Sequence, residues 1–118
     1  MVKVKTEKEI ITMNLVCKYL EESNYIIIEK DFKYRKRKIE IIAYDTNKKE
    51  LVFVDLRAYY TIDELMEELT KEKEEDFKYV AKYYNKEYGL YDIPIRFDMV
   101  KIYLNNSIYQ LKHFKNIY

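Results

Sequence analysis

Apolar residues recur at helical spacing from Glu7 to Glu22, with Ile10, Met13 and Cys17 on one stripe and Ile11, Leu15 and Tyr19 on the next, the period of an amphipathic helix. Ser23-Asn24 interrupts the pattern, and the β-branched run from Tyr25 to Ile28 predicts a buried strand. A second strand begins in the basic stretch that follows and ends near Tyr44. After Asp45 to Lys49, Leu51-Val52-Phe53-Val54 has the composition of a sheet centre and pairs with the preceding strand as a hairpin. Thr61, with Glu64 three residues on, reads as a capping box opening a long charged helix that reaches Tyr88. Leu65, Met66, Leu69, Phe77, Val80, Ala81 and Tyr84 supply its buried face, the run from Lys71 to Asp76 is a candidate break, and Gly89 ends it. Ile93 to Leu104 alternates as a strand with Pro94 at its start. Asn105-Asn106 fits a two-residue turn, and Ser107 to Phe114 returns as the last strand. Helix, three strands, helix, two strands predicts an α/β domain over residues 1–118, a central mixed sheet of about five strands flanked by helices.

Composition narrows the chemistry. With 22 basic and 21 acidic residues the net charge is +1, so no global field draws the chain to nucleic acid or membrane, and a local patch must do so. One Gly excludes phosphate-cradling glycine loops, the dinucleotide fingerprint and the serine-hydrolase elbow. The lone Cys17 makes no internal disulfide, and no CxxC or His/Cys cluster offers structural zinc, which points to a reducing cytoplasm. No stretch has the apolar length of a membrane span.

If the central hairpin turns symmetrically about Asn47-Lys48, Glu40 lies opposite Asp55 and Lys38 opposite Arg57. Period-two alternation then places all four charges on one face, continuing into Ile42, Phe53, Tyr44 and Leu51. Two carboxylates with Cβ atoms ~5 Å apart are what Mg²⁺ needs, because it keeps several waters and takes one or two protein ligands. The same four residues also fit a neutral salt-bridge quartet. Charged clusters are more often structural than catalytic, so geometry alone favours the quartet.

The residues around this hairpin resemble a known family. Ile39-Glu40-Ile41-Ile42-Ala43 and Leu51-Val52-Phe53-Val54-Asp55-Leu56-Arg57 resemble the GEIDLIA and LVFVEVK segments of the YraN family, predicted endonucleases related to Holliday junction resolvases. Tyr19-Leu20 to Asn24-Tyr25 is similar to YLxxxGY, Lys73 with Ala81 to Tyr84 to K…AxxYL, Arg96 to Val100 to RFDVV, and His113 to Tyr118 to HxxNAF. The resemblance implies a restriction-endonuclease-like PD-(D/E)xK core, in which an acid on one strand and E-x-K on the next bind metal and activate water. Carried over by position, it implies catalytic roles for Glu40, Asp55 and Arg57, with Glu40 and Asp55 as ligands of Mg or Mn if the site is active. Two family acids are lost: the Glu of GEIDLIA is Lys38 here, and the Glu of helix one is Met13. Glu9, one turn before Met13, is the candidate replacement ligand. A lysine near the metal weakens its binding by Coulomb repulsion, and Arg57 grips phosphate but gives up no proton near neutral pH.

Lys30, Lys33, Arg35, Lys36, Arg37 and Lys38, interleaved with Phe32 and Tyr34, form the one concentrated basic stretch, suited to phosphate contacts with aromatic stacking. Its bland counterpart is a solvated strand edge. Lys73 joins these as a nucleic-acid-binding candidate through the resemblance, although a lysine in so charged a run is most often solvated. His113 reads as a plain strand-end residue, Cys17 and Met13 as core filling, and Arg96 with Asp98 as partners for the charged quartet. The resulting expectation is a cytoplasmic, nucleic-acid-binding nuclease-fold protein, DNA before RNA and no membrane, with catalysis weakened or lost. The alternatives are an active Mg- or Mn-dependent endonuclease on branched or single-stranded DNA, and a non-catalytic protein-interaction scaffold using the tyrosine-rich helix from Lys82 to Tyr91.

Overall fold

A computed structural model of the protein describes residues 5–61 and 70–118. The chain runs α1 (Glu7–Glu22), β1 (Tyr25–Tyr34), β2 (Arg37–Asp45), β3 (Glu50–Tyr59), α2 (Lys71–Tyr88), β4 (Ile95–Asn105) and β5 (Ile108–Phe114). The strands form one mixed sheet in sequence order, antiparallel except for the parallel β3–β4 pair, which α2 bridges. This is the predicted α/β architecture, consistent with a restriction-endonuclease-like core. The Thr61/Glu64 capping box and the apolar residues Leu65, Met66 and Leu69 involve positions outside the described residues. The described helix begins at Lys71, where Thr70 caps it by accepting the Lys73 amide at 3.1 Å, so the charged run from Lys71 belongs to the helix.

Alternation along the strands divides the core in two. Ile41, Ala43, Val52, Val54, Val100 and Ile102 face α1, which contributes Met13, Val16, Cys17 and Leu20. Ile42, Leu51, Phe53 and Phe97 face α2, which contributes Phe77, Val80, Ala81 and Tyr84. Burying such a side chain is worth about 1.5–3 kcal/mol, so the two layers hold the sheet between the helices. Among the described residues no helix is long and apolar enough to cross a membrane.

With one glycine, the chain takes most of its left-handed turns on polar residues. Asn24, Asp31, Arg35, Lys49, Asn106 and Asn116 all have positive φ, and asparagine and aspartate accept this region best among side chains with a Cβ. The last turn is centred on Asn106-Ser107, one residue beyond the expected Asn105-Asn106, because Asn105 still pairs with Ile108. Gly89 closes α2 at φ +65°, and a Cβ there would meet nothing within 4 Å. Gly89→Ala should therefore cost only its backbone strain, about 1 kcal/mol, read as a lower urea midpoint. A loss above about 3 kcal/mol would mean that this end of the helix is packed more tightly than the structure indicates.

Candidate functional site

The central hairpin keeps the expected register, Ile41 opposite Val54 through Asp45 opposite Glu50. Its turn has four residues: the Lys49 amide donates to the Asp45 carbonyl at 2.7 Å, and the Asp45 carboxylate accepts the Asn47 and Lys48 amides. The symmetry centre is the one that a two-residue loop would have, so the register is unchanged. β3 then alternates without interruption, which puts Asp55 and Arg57 on the α2 face beyond Phe53. There the Arg57 Nε and Nη2 each lie 3.0 Å from Asp55 Oδ2, with the two side chains 4% and 8% exposed. Tyr118, whose ring meets Phe77 and Phe97 at 6.3 and 6.0 Å, lies beside this pair. Burial, and then the Asp55 charge, pushes its hydroxyl above the usual range.

Glu40 departs from the expected pattern. The β2–β3 pairing stops at Ile41–Val54, and the β1–β2 hairpin passes from Lys30–Ile41 to Phe32–Ile39 with Asp31, at φ +52°, opposite the intervening Glu40. A bulge between Ile27 and Glu29 adds twist to β1. The hairpin consequently curls toward α2: Ile39 joins the α2 cluster whereas Ile41 stays in the α1 cluster. Glu40 sits at this kink, bordering cavities on both sides of the sheet. Its Oε2 accepts the Leu56 amide at 3.4 Å, filling the gap where the ladder opens. Burial, then the Asp55 charge, pushes its carboxyl up to about 7 against the opposing pull of Leu56 and Lys38. Among the described residues it has no cation within salt-bridge distance: Arg57 lies on Asp55, Arg37 on Asp76 at 2.8 Å, and the Lys38 ammonium is 3.9 Å from Asp31, whose close partner is Lys5. Lys38 therefore does not stand opposite Arg57. At the kink it borders both a cavity that it shares with Lys5, Glu9, Asp31 and Lys33 and the cleft that holds Asp55.

The cleft on the α2 side, about 230 Å³, brings Lys36, Arg37, Lys38 and Lys73 around Glu40, Asp55 and Asp76. Lys33 and Arg35 lie apart from it: Lys33 borders the cavity with Glu9, and Arg35 is at the exposed tip of the two-residue turn between β1 and β2. The rings expected to interleave with these bases are committed within the fold. Tyr34 stacks on Tyr83 at 3.6 Å, Phe32 packs edge-on against Tyr84, and Arg37 lies over Tyr79 at 4.5 Å. This ladder fastens the basic hairpin to α2 and uses much of the tyrosine-rich helix face. Glu9 holds the capping box of α1, accepting from the Thr6 amide and hydroxyl, so its carboxylate is engaged at the rim of the Glu40 cavity. Among the described residues no three His, Cys, Asp or Glu side chains converge to hold a metal ion. Glu40 and Asp55 are hard oxygen donors of the kind accepted by Mg²⁺, which keeps several waters and takes one or two protein carboxylates.

Arg96 and Asp98 do not join this site. They lie on the α1 face, opposite Val52 and Val54, and anchor a separate buried network. Arg96 binds Asp98 through two nitrogens at 2.8 and 2.9 Å, Asp45 at 2.9 Å, Glu50 at 3.0 Å and the Tyr25 hydroxyl at 2.6 Å. His113, far from a plain strand-end residue, has Nε2 2.7 Å from Asp98 and Nδ1 2.9 Å from the Tyr19 hydroxyl. Burial raises the Asp98 carboxyl, but hydrogen bonds from His113, Arg96 and the Asn116 amide outweigh it and hold the group below the usual range. An ionised Asp98 only accepts, which fixes the proton on Nε2. Sequence reasoning missed the network because its members come from α1, β1, β2, β3, β4 and β5. Cys17 is buried against Met13, and burial pushes its thiol up, as suits a small core residue.

Comparison with known proteins agrees with the motifs. The model of the family described as "Uncharacterised protein family UPF0102" matches residues 14–102. A UPF0102 protein of Clostridium botulinum (strain Alaska E43 / Type E3) is 32% identical over 107 residues, covering 89% of this chain and 88% of its own. One from Clostridium perfringens (strain SM101 / Type A) is 31% identical over 110 residues, covering 89% and 88%. One from Desulforapulum autotrophicum is 25% identical over 100 residues, covering 85% and 83%. The chain therefore belongs to UPF0102, the YraN family.

Proposed function

We propose that this domain binds nucleic acid, DNA in preference to RNA, and that its phosphodiester-cleaving chemistry is weakened or lost. The observation that carries the reading is the cleft lined by four basic side chains, Lys36, Arg37, Lys38 and Lys73, around Glu40, Asp55 and Asp76. Lysine and arginine around a concave site attract the phosphate backbone, and Arg35 at the turn tip extends the contact outward. Glu40 and Asp55 are the residues that would hold Mg or Mn, whose chemistry when bound is to polarise the phosphate and lower the pKa of water. Against strong binding stand the Arg57 guanidinium closed onto Asp55 and the lack, among the described residues, of a third acid converging with Glu40 and Asp55, since Asp76 in the same cleft is paired with Arg37. A second reading, active metal-dependent cleavage of branched or single-stranded DNA, is favoured by one observation: Glu40 is a desolvated carboxylate with no protein cation within 4 Å among the described residues.

Fluorescence anisotropy with labelled branched and single-stranded DNA tests the proposal. Binding should be detectable at about 50 mM salt and fall steeply toward about 200 mM. Arg35→Ala and Lys36→Ala should each lower the salt slope by about one. No binding at low salt would remove the reading. Incubation with Mn²⁺ separates the two alternatives: slow or absent cleavage fits the first, and robust cleavage lost in Glu40→Ala and Asp55→Ala establishes the second. Cleavage that survives both substitutions would remove the assignment of these carboxylates.

A further inference from the structure

The register of the last three strands sets cations in a row. Arg57 pairs with Lys101 across β3–β4, and Lys101 pairs with Lys112 across β4–β5. Directly opposed residues share a face, and strands lie about 4.8 Å apart, so three positive side chains cross the sheet over about 10 Å. The face is the one that carries the cleft, since the alternate residues Val100, Ile102 and Leu111 pack toward α1. α2 lies over β1 and β2, its side chains reaching only the first part of β3 and β4 at Leu51, Phe53 and Phe97. On β4 and β5 the face instead forms a groove of about 260 Å³ lined by Lys101, Tyr103, Gln110, Lys112 and Phe114.

Two features of this groove need a partner. Like charges directly opposite one another destabilise an antiparallel pair, yet neither Lys101 nor Lys112 has a carboxylate within 4 Å among the described residues. In the flanking rows Phe114, 40% exposed, lies opposite Met99, and Tyr103 lies opposite Gln110. The Lys101 ammonium is 5.8 Å from the Phe114 ring centre. Cations with no carboxylate partner among the described residues, beside accessible rings on an open sheet, match a ligand that carries both phosphates and flat bases. A duplex hides its base faces, whereas a single strand offers them for stacking.

Resting on the proposed function, we infer that a single DNA strand leads away from the Asp55–Arg57 cleft across β4 and β5, its phosphates on Lys101 and Lys112 and its bases against Phe114 and Tyr103. The strand thus has a path on the sheet face that is independent of the basic β1–β2 turn.

The test is anisotropy of a labelled oligothymidine of about twelve nucleotides, beside a duplex of the same length, across about 50 to 200 mM salt. The pair Lys101→Gln/Lys112→Gln should weaken binding of the single strand and lower its salt slope by about 1.4, two phosphates at about 0.7 each. Phe114→Leu, which keeps an apolar side chain at the edge, should weaken it about tenfold with the slope unchanged. Duplex binding should change little in either variant. Unaltered single-strand binding in both, while Arg35→Ala still weakens it, would overturn the path and leave the proposed function standing. An equal loss for duplex and single strand would overturn the strand assignment, and no binding by the unsubstituted protein would overturn both. Urea midpoints of the variants within about 1 kcal/mol of the parent verify that the fold is kept.

Discussion

Replacing Arg96 with alanine is expected to destabilise the domain by about 3–5 kcal/mol, the cost of leaving buried charge without its partner. The guanidinium satisfies Asp98, which is 0% exposed, and at the same time holds Asp45, Glu50 and the Tyr25 hydroxyl. Its removal strands two buried carboxylates in a layer that also receives the His113 ring. Small domains have total stabilities of about 5–15 kcal/mol, so the variant should unfold at a far lower urea concentration with the m-value unchanged. Arg96→Lys keeps the charge but not the planar fork that binds Asp98 through two nitrogens, and should fall between parent and alanine variant. A loss below about 1 kcal/mol for Arg96→Ala would mean that water replaces the guanidinium and that the network is not a structural anchor.

The same network sets the acid limit of the fold. Burial raises the Asp45 and Asp98 carboxyls, but hydrogen bonds from backbone amides, Arg96 and, for Asp98, His113 outweigh it and hold both below their ordinary value of 3.8. Carboxylates with lowered folded pKa values contribute stability that is complete above about pH 4 and is lost as pH falls through the folded values. Arg96→Ala should therefore also flatten the acid limb of a stability-against-pH curve.

What could be read from the chain follows from how local the determinants are. The β2–β3 register was legible because the polar run Asp45 to Lys49 has one symmetry centre whether its loop has two residues or four. Asp55 and Arg57 were legible as neighbours because β3 alternates without a break. Glu40 was only half legible. Its level on the hairpin follows from the turn, but the positive φ of Asp31 and the bulge at Ile27–Glu29 move the strand off the ideal pleat, and no glycine or proline marks that place. Lys38 was misplaced for the same reason. Of the Arg96–Asp98–His113 assembly only the shared face of Arg96 and Asp98 was legible, since periodicity assigns faces but says nothing about which distant polar groups meet on one. The row Arg57–Lys101–Lys112 needs the parallel β3–β4 register, and a crossover of this length does not encode that register locally.

Glu40→Gln is expected to stabilise the metal-free protein at pH 8 by about 2–3 kcal/mol and to leave it unchanged near pH 4.5. The Glu40 carboxyl is raised from 4.5 to about 7 in the fold, so between those values the folded state binds more protons than the unfolded chain. Stability must then fall as pH rises through that window, and the full penalty is present above it; at about 1.4 kcal/mol per pKa unit the shift corresponds to about 3 kcal/mol. Glutamine can still accept the Leu56 amide, and it carries no charge to oppose Asp55. Urea melts in EDTA across pH 4.5 to 8 measure the effect, and equal or lower stability of the variant at pH 8 would contradict it. The sign separates the two readings of the hairpin. A carboxylate that belongs to a salt-bridge quartet stabilises the fold and is missed when neutralised. One that is held desolvated, 3.4 Å from a single backbone donor and beside a second acid, costs the fold stability, as groups kept for binding commonly do. If Glu40→Gln is more stable at pH 8 and also loses whatever Mn²⁺ response the parent has, the residue's place in the cleft is accounted for by ligand binding and not by folding.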